Sequence, residues 1–322
     1  MIKYTYGGDD DMTTKSKVFL SIDNLIENIK SKGLKIKDES KLKKILEHNN
    51  YYYITGYKDL FKKQDGTYKD NVYFEDIYHT YQFDKKLKLI FAEVLFEIEQ
   101  DVKTVFMNNF CDRYGYKDLD LVNPSNYDNT NIHLMDVLNR LNNQINWYGK
   151  NNLAVSYYKS NYTFVPIWVL IKVLTFGMVR DLIMTQKSNA KDHVCKKVAK
   201  SNLKVVEVQN MLELLITYRN ICCHDDRLLG YIHKKVNIMN TPYHSKFNLN
   251  KNSNGAYNQG KKDIFAALIT IKYFTDRKTF ASFIEKLSNL VDENIKTIHR
   301  VSKVELLEFM NLPQNFTEIK DL

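Results

Sequence analysis

The sequence predicts an all-α protein, and three observations carry that expectation. Breakers are scarce, with 11 glycines and 4 prolines in 322 residues, so long stretches are free to stay helical. Apolar residues recur at three-and-four spacing through the longer segments, the period of a helix with one buried side. The composition, 44% hydrophobic and 26% charged, is that of an ordinary globular chain able to bury a core.

Taken in order, residues 1–17 read as a loose tail without the apolar centre of a signal peptide. Ser21 then opens an amphipathic run in which Leu25, Ile26 and Ile29 share a face, and Gly33 stands where a helix C-cap belongs. Residues 38–49 predict a second short helix. The aromatic-dense YYYITGYKDLFKK that follows reads as irregular or extended, and Asp65-Gly66 marks a turn. From Phe74 to Phe110 the pattern is strongly helical: Phe83, Leu87, Ile90, Val94, Ile98 and Val105 form a near-heptad stripe, while Glu93, Glu97 and Asp101 face elsewhere. Residues 121–132 read as a loop, and 133–147 as a helix followed by a polar connection. Residues 166–185 are apolar nearly all round, which predicts one buried helix. The most apolar stretch, 164–179, is short for a membrane span and carries Lys172. A lysine-rich stretch leads into a long helix from about Lys204 to His224. After a loop over 247–260, helices over about 262–275 and 278–299 finish the bundle. No repeat or domain-scale linker interrupts it. The reading is one helical domain over 18–322: a small N-terminal helical lobe (18–73), a helical core (74–305) and a C-terminal segment (306–322).

Lys+Arg 47 against Asp+Glu 38 gives a net charge of +9. Such a balance favours nucleic acid or an anionic membrane face, or describes only a well-solvated surface. Nearly all the positive charge is lysine, so each of the seven arginines is informative. Cys111, Cys195, Cys222 and Cys223 show no Cys-x-x-Cys spacing. They fit reduced thiols in a cytoplasmic protein, not a disulfide framework or a zinc site. His193, His233 and His244 lack carboxylate or cysteine neighbours at ligand spacing, so no metal or other cofactor is expected.

The chemistry concentrates at the end of the long helix. Val208, Met211, Leu212, Leu215 and Cys222 make its buried stripe, and Arg219 falls on that stripe. Gln209, Glu213, Thr217, Asn220 and His224 follow the same spacing on the other side, so Asn220 and His224 project together one turn apart. An arginine among apolar residues needs a partner. Glu99, which interrupts the line of Ala92, Leu95, Val102 and Phe106, is the candidate. A purely structural Arg–Glu pair accounts for both oddities, and a helix-end histidine can simply answer the helix dipole. The functional alternative joins them: histidine moves a proton near neutral pH, and arginine clamps a phosphate and stabilises the charge built up in its cleavage.

Arg219-Asn220-x-x-x-His224 is similar to the signature of the HEPN superfamily of helical nucleotide-binding domains, many of them toxin or antiviral ribonucleases. A narrower group, the Abi-like abortive-infection proteins of the AbiD and AbiF type, resembles more of the chain. The resemblance rests on SIDNLIENIKSKGLKIKDE, NYYYITGYKDLF, the run from Phe74 to Thr104, PIWVLIKVLTFGMV, YRNICCHDDRLL and LLEFMNLPQNF, in family order from about residue 20 to 316. It implies an HEPN-like helical bundle in which Arg219 and His224 are the catalytic pair, Asn220 shapes the site and Glu99 orients the arginine. Arg227 matches a further basic position. Two departures stand out: Asp225 replaces a frequent second histidine, and Lys103 replaces a usual arginine. The resemblance further implies metal-independent RNA scission in antiphage defence by a homodimer whose two motifs meet in one cleft. RNA is then the expected partner, as substrate and as a regulatory non-coding RNA, and no membrane is expected. The alternative is a non-catalytic RNA-binding module acting as a complex with a structured RNA.

For RNA contact the sequence offers Lys196, Lys197, Lys200 and Lys204, with Lys187 and Lys191, just ahead of the motif helix. Lys85, Lys86 and Lys88 form a smaller basic patch, and tyrosines over 51–57 are candidates to stack on unpaired bases.

Overall fold

A computed structural model describes residues 18–224 and 226–322, so the expected tail over 1–17 and the departure at Asp225 lie outside the described residues. Among the described residues the fold is all-α, with no strand beyond isolated bridges such as Lys117 with Pro166. The described residues divide into two compact units, with the boundary between Tyr78 and His79.

In the first unit α1 (Ile22–Ser31) packs on α2 (Glu39–His48) through buried Ile26, Ile29, Leu42 and Leu46. Ser21 and Asp38 cap them, their side chains accepting the N–H of Asn24 and Lys41. Gly33 follows α1 at φ +83°, the left-handed conformation a C-terminal glycine supplies. The aromatic stretch after α2 is helical instead of extended. Asn50 accepts the Tyr52 N–H and starts α3 (Tyr51–Thr55), and a 3-10 turn follows over Lys58–Phe61. Burial of Ile54, Tyr57, Leu60 and Phe61 holds this compact form. Tyr57 is therefore not a stacking surface, and Tyr51 is spent against Phe74; only Tyr52 and Tyr53 of that group are exposed.

Helix α4 (Phe74–Tyr114) starts in the first unit and continues into the second. Phe83, Leu87, Val94 and Ile98 are buried as the stripe predicts, but Ile90 and Val105 are only half-buried. The buried side is broader than a heptad seam and includes Phe91, Leu95, Val102, Phe106 and Phe110. Each such large side chain stabilises the fold by roughly 1.5–3 kcal/mol. Next come α5 (Asp118–Val122), which overlaps only the first two residues of the expected loop, and α6 (Leu134–Asn151). The expected polar connection is instead α7 (Leu153–Asn161), started by Asn152 accepting the Ala154 and Val155 N–H groups.

The single helix expected over 166–185 is two, α8 (Ile167–Val173) and α9 (Phe176–Thr185). Leu174 turns out of helical conformation, and Thr175 restarts the chain by accepting the Met178 N–H at 3.2 Å. The lysine-rich stretch is also helical: in α10 (Ser188–Val198), Ala190, Val194, Cys195 and Val198 supply a buried stripe under the lysines. After α11 (Val205–Cys223) the chain is mostly irregular as far as α12 (Pro242–Lys246) and α13 (Ile264–Phe274). Helix α13, buried almost all round, is the central rod, and α11 packs on it and on α9 and α10. Helices α14 (Arg277–Ile295) and α15 (Lys303–Phe309) close the unit.

The cap of α13 is a buried carboxylate. Asp263 accepts the N–H groups of Gly260 and Ala266 at 2.9 and 3.0 Å, and burial pushes its pKa up to about 6 from 3.8. A raised carboxyl pKa means that the folded chain holds this proton more tightly than the unfolded chain. Its contribution therefore favours the fold at acid pH and is lost as pH rises from about 4 to 6. Asp263→Asn keeps an acceptor for the same N–H groups and cannot ionise. The urea midpoint of this variant, relative to the parent, is expected to climb between about pH 4 and pH 7. A difference independent of pH would show that the carboxyl does not titrate in this range.

Candidate functional site

On α11, Val208, Met211, Leu212, Leu215 and Tyr218 are fully buried, while Cys222 of the expected stripe is half-buried. Tyr218 lies 6.1 Å from the Phe91 ring and edge-on to Tyr231 at 5.5 Å, which fixes the rotation of the helix against α4. That rotation carries Arg219 to the border of the core, with 29% of its side chain exposed.

Arg219 meets the partner the sequence nominates. Its Nε donates to Glu99 Oε2 at 2.8 Å, and Glu99 itself is only 8% exposed. The second carboxylate oxygen is taken by Lys103 Nζ at 2.7 Å, one helical turn further along α4. Glu99 thus sits between two cations, one from its own helix and one from α11. The guanidinium also lies 5.7 Å from the centre of the Phe96 ring, and Nη1 comes within 3.5 Å of Asn220 Oδ1.

A second acid–lysine pair at the same i, i+4 spacing lies earlier on α4, and sequence reading missed its role. Asp84, fully buried, accepts the backbone N–H groups of Leu228 and Leu229 at 3.3 and 2.6 Å. Lys88 stands 3.8 Å from Asp84 and donates to the Asp226 carbonyl at 3.1 Å. Lys88 is buried, so it does not belong to a surface patch with Lys85 and Lys86. The signal was present: Asp84 and Lys88 flank buried Leu87, as Glu99 and Lys103 flank buried Val102. One helix therefore holds both ends of the motif, its first residue Arg219 and the chain from Asp226 to Leu229 just after it.

His224 is not on the helix, contrary to the expected shared face with Asn220. It is the C-cap, at φ −108° and ψ 167°, and its N–H donates to the Asn220 carbonyl at 3.0 Å. Both side chains are exposed. The rest of the expected polar face is largely covered: Glu213 pairs with Arg180, and Thr217 Oγ1 lies 3.1 Å from His233 Nε2. His233 accepts two backbone N–H groups at Nδ1, and burial lowers its pKa, so it is a neutral structural ring. The Cys222 thiol is pushed up to about 12, chiefly by burial, and stays protonated and unreactive at neutral pH. Among the described residues, no group of three His, Cys, Asp or Glu side chains is placed to hold a metal.

Lys196, Lys197, Lys200 and Lys204 are all exposed, but they are not brought to the motif. They end α10 and lead into the first turn of α11, and Arg219 lies fifteen residues beyond Lys204. At 1.5 Å per residue the separation along the helix is ~22 Å. Lys196 also pairs with Asp192 at 2.8 Å, and Lys187 and Lys191 donate to the Ser125 and Met184 carbonyls. Arg227, half-buried in the chain clasped by Asp84 and Lys88, lies on the motif side.

A family model described as Abi-like protein matches residues 44–230. The matched span includes Glu99, Lys103, Arg219, Asn220 and His224. No curated protein and no solved structure matches the chain.

The geometry ranks the members of the ion group. Removing Glu99 strands two cations at once, whereas removing Arg219 leaves the carboxylate paired with Lys103. Glu99→Ala is expected to lower stability by about 2–3 kcal/mol, discounted from a fully buried pair for the exposure of Arg219, and Arg219→Ala by less. Chemical denaturation of both variants measures this; equal losses would show that Lys103 does not share the carboxylate.

Proposed function

The chain belongs to the Abi-like protein family, which implies an abortive-infection-type role, and we propose that it acts there as a metal-independent endoribonuclease built on Arg219 and His224. The observation that carries the reading is their contrast in setting. The arginine is held in place by a buried carboxylate, and an exposed histidine stands five residues on, where the helix ends. Both are what scission of RNA through its own 2′-hydroxyl needs.

In that reaction a base takes the 2′-hydroxyl proton and the 2′-oxygen attacks the adjacent phosphorus. The bond from phosphorus to the 5′-oxygen breaks, and an acid returns a proton to that oxygen. The products are a 2′,3′-cyclic phosphate and a 5′-hydroxyl. His224 is the proton-transfer group. Arg219 binds the phosphate and stabilises the added charge on its oxygens. One histidine cannot serve as base and acid in the same step, so the reading includes a homodimer. Two motifs then supply two histidines and two arginines, as the likeness to HEPN ribonucleases implies. RNA also serves as a regulatory partner in this reading.

A second reading has a specific observation in its favour. The Arg219 Nε is committed to Glu99, and Glu99 to Lys103, as in a structural ion group. On that reading the chain is a non-catalytic module that holds a structured non-coding RNA.

Incubating the protein with total RNA and a chelator separates the two. The parent is expected to leave cyclic phosphate ends, and His224→Ala, exposed at a helix end, is expected to fold normally and lose about 100-fold or more in rate. Cleavage undiminished in both His224→Ala and Arg219→Ala would remove the catalytic assignment, and stable retention of uncut RNA by the parent would favour the second reading.

A further inference from the structure

Between Asp136 and Asp181 the chain carries no aspartate or glutamate, yet it holds Arg140, Lys150, Lys159, Lys172 and Arg180. Arg140 pairs with Asp136 and Asp181, and Arg180 with Asp181 and Glu213, so the positive field of this acid-free run rests on Lys150, Lys159 and Lys172. The run comprises most of α6, all of α7 and α8, and the first turns of α9.

The same elements carry large rings that the core does not use. Leu138, Leu141, Ile145 and Val155 supply the buried side of α6 and α7. On the outside, Trp147 and Trp168 are 58% and 48% exposed, and Tyr157 and Tyr162 are exposed as well. These are both tryptophans of the chain. The rings form groups on adjoining elements, since α6 packs on α7 and α7 on α8. Trp147 meets Tyr148 edge-on at 4.9 Å, Tyr158 stacks on Tyr162 at 5.3 Å, and Trp168 stacks on Tyr116 at 5.8 Å. Cations are interleaved: Lys117 lies over the Phe164 ring at 5.2 Å, and the Lys159 side chain runs against the backbone of α6 at Gly149, where a Cβ would meet it at 3.0 Å.

Exposed amides complete the surface, among them Asn142, Asn143, Asn146 and Asn151. Ring faces, amide donors and acceptors, and Lys150, Lys159 and Lys172 are together the chemistry that suits unpaired nucleotides: bases stack, base edges hydrogen-bond and phosphates are neutralised. An interfacial membrane helix also uses Trp and Phe, but on an apolar face continuous with aliphatic side chains. Here Leu153 is the one large aliphatic side chain strongly exposed in the run. We propose that the outer face of α6, α7 and α8 is a stacking platform for an unpaired RNA strand, separate from the Arg219–His224 site. The proposal rests on the reading that RNA is the partner, and it says where an unpaired strand is gripped.

Both tryptophans lie on the platform, so their emission reports directly on its occupancy. The full chain is titrated at low salt with a labelled 2′-O-methyl oligouridylate of about twelve nucleotides, which lacks the attacking hydroxyl. The expected result is quenching that tracks the polarisation of the label. In Tyr157→Ala/Tyr162→Ala, which keeps both reporters and alters only exposed side chains, affinity is expected to fall about tenfold or more. If the oligonucleotide binds but emission is unchanged and the tyrosine variant binds equally well, the platform is wrong and the RNA reading stands. If neither the oligonucleotide nor total RNA binds, both fail. A blue shift of emission with phosphatidylglycerol vesicles, and none of these responses to oligonucleotide, would assign the face to a membrane instead.

Discussion

Glu99 is a carboxylate buried in the side of a long helix, and its desolvation has to be answered by charge. Lys103 answers half of it from the same helix, and Arg219 answers the rest from α11. Each cation engages a different oxygen. The requirement brings α11 to one rotation against α4, with Tyr218 turned inward between Phe91 and Tyr231 and Arg219 at the border. The orientation of Arg219 follows from that electrostatic demand together with the packing of Tyr218.

The two halves of the motif come out physically unlike. Arg219 is positioned by a carboxylate, an aromatic face and the packing of its neighbours. His224 stands where helical hydrogen bonding stops, held by one backbone bond to Asn220. A phosphate-binding group gains from being fixed in advance, whereas a proton-transfer group can settle when its substrate arrives. The lysines at the far end of α11 are a separate surface, and a strand that touched them and Arg219 would have to span ~22 Å of helix.

Much of this was legible in the sequence, and the misses have physical causes. The Arg219–Glu99 pair could be read because each residue breaks an apolar line that three-and-four spacing makes visible. The helices α7 and α10 escaped notice because their buried stripes are thin, single valines and small residues under many polar ones. The break between α8 and α9 is one capping threonine, a local hydrogen bond that hydrophobic period does not register. Asp84 was passed over, and Lys88 was misread because charge counting cannot tell a solvated lysine from one turned inward to a carbonyl. The Lys196 to Lys204 group does lie just ahead of the motif helix, as the sequence suggests, with the length of α11 between it and Arg219. His224 was misplaced because the helix ends one residue before it.

Both clasps on the motif, Asp84 with Lys88 and Glu99 with Lys103, belong to one uninterrupted helix. Fifteen residues separate the two carboxylates, which at 1.5 Å per residue is ~22 Å of a single stiff rod. A displacement of that rod carries both anchor points together and leaves the distance between them unchanged. The motif is in this sense insulated: bending or breathing elsewhere in the bundle shifts its two ends in common instead of pulling them apart.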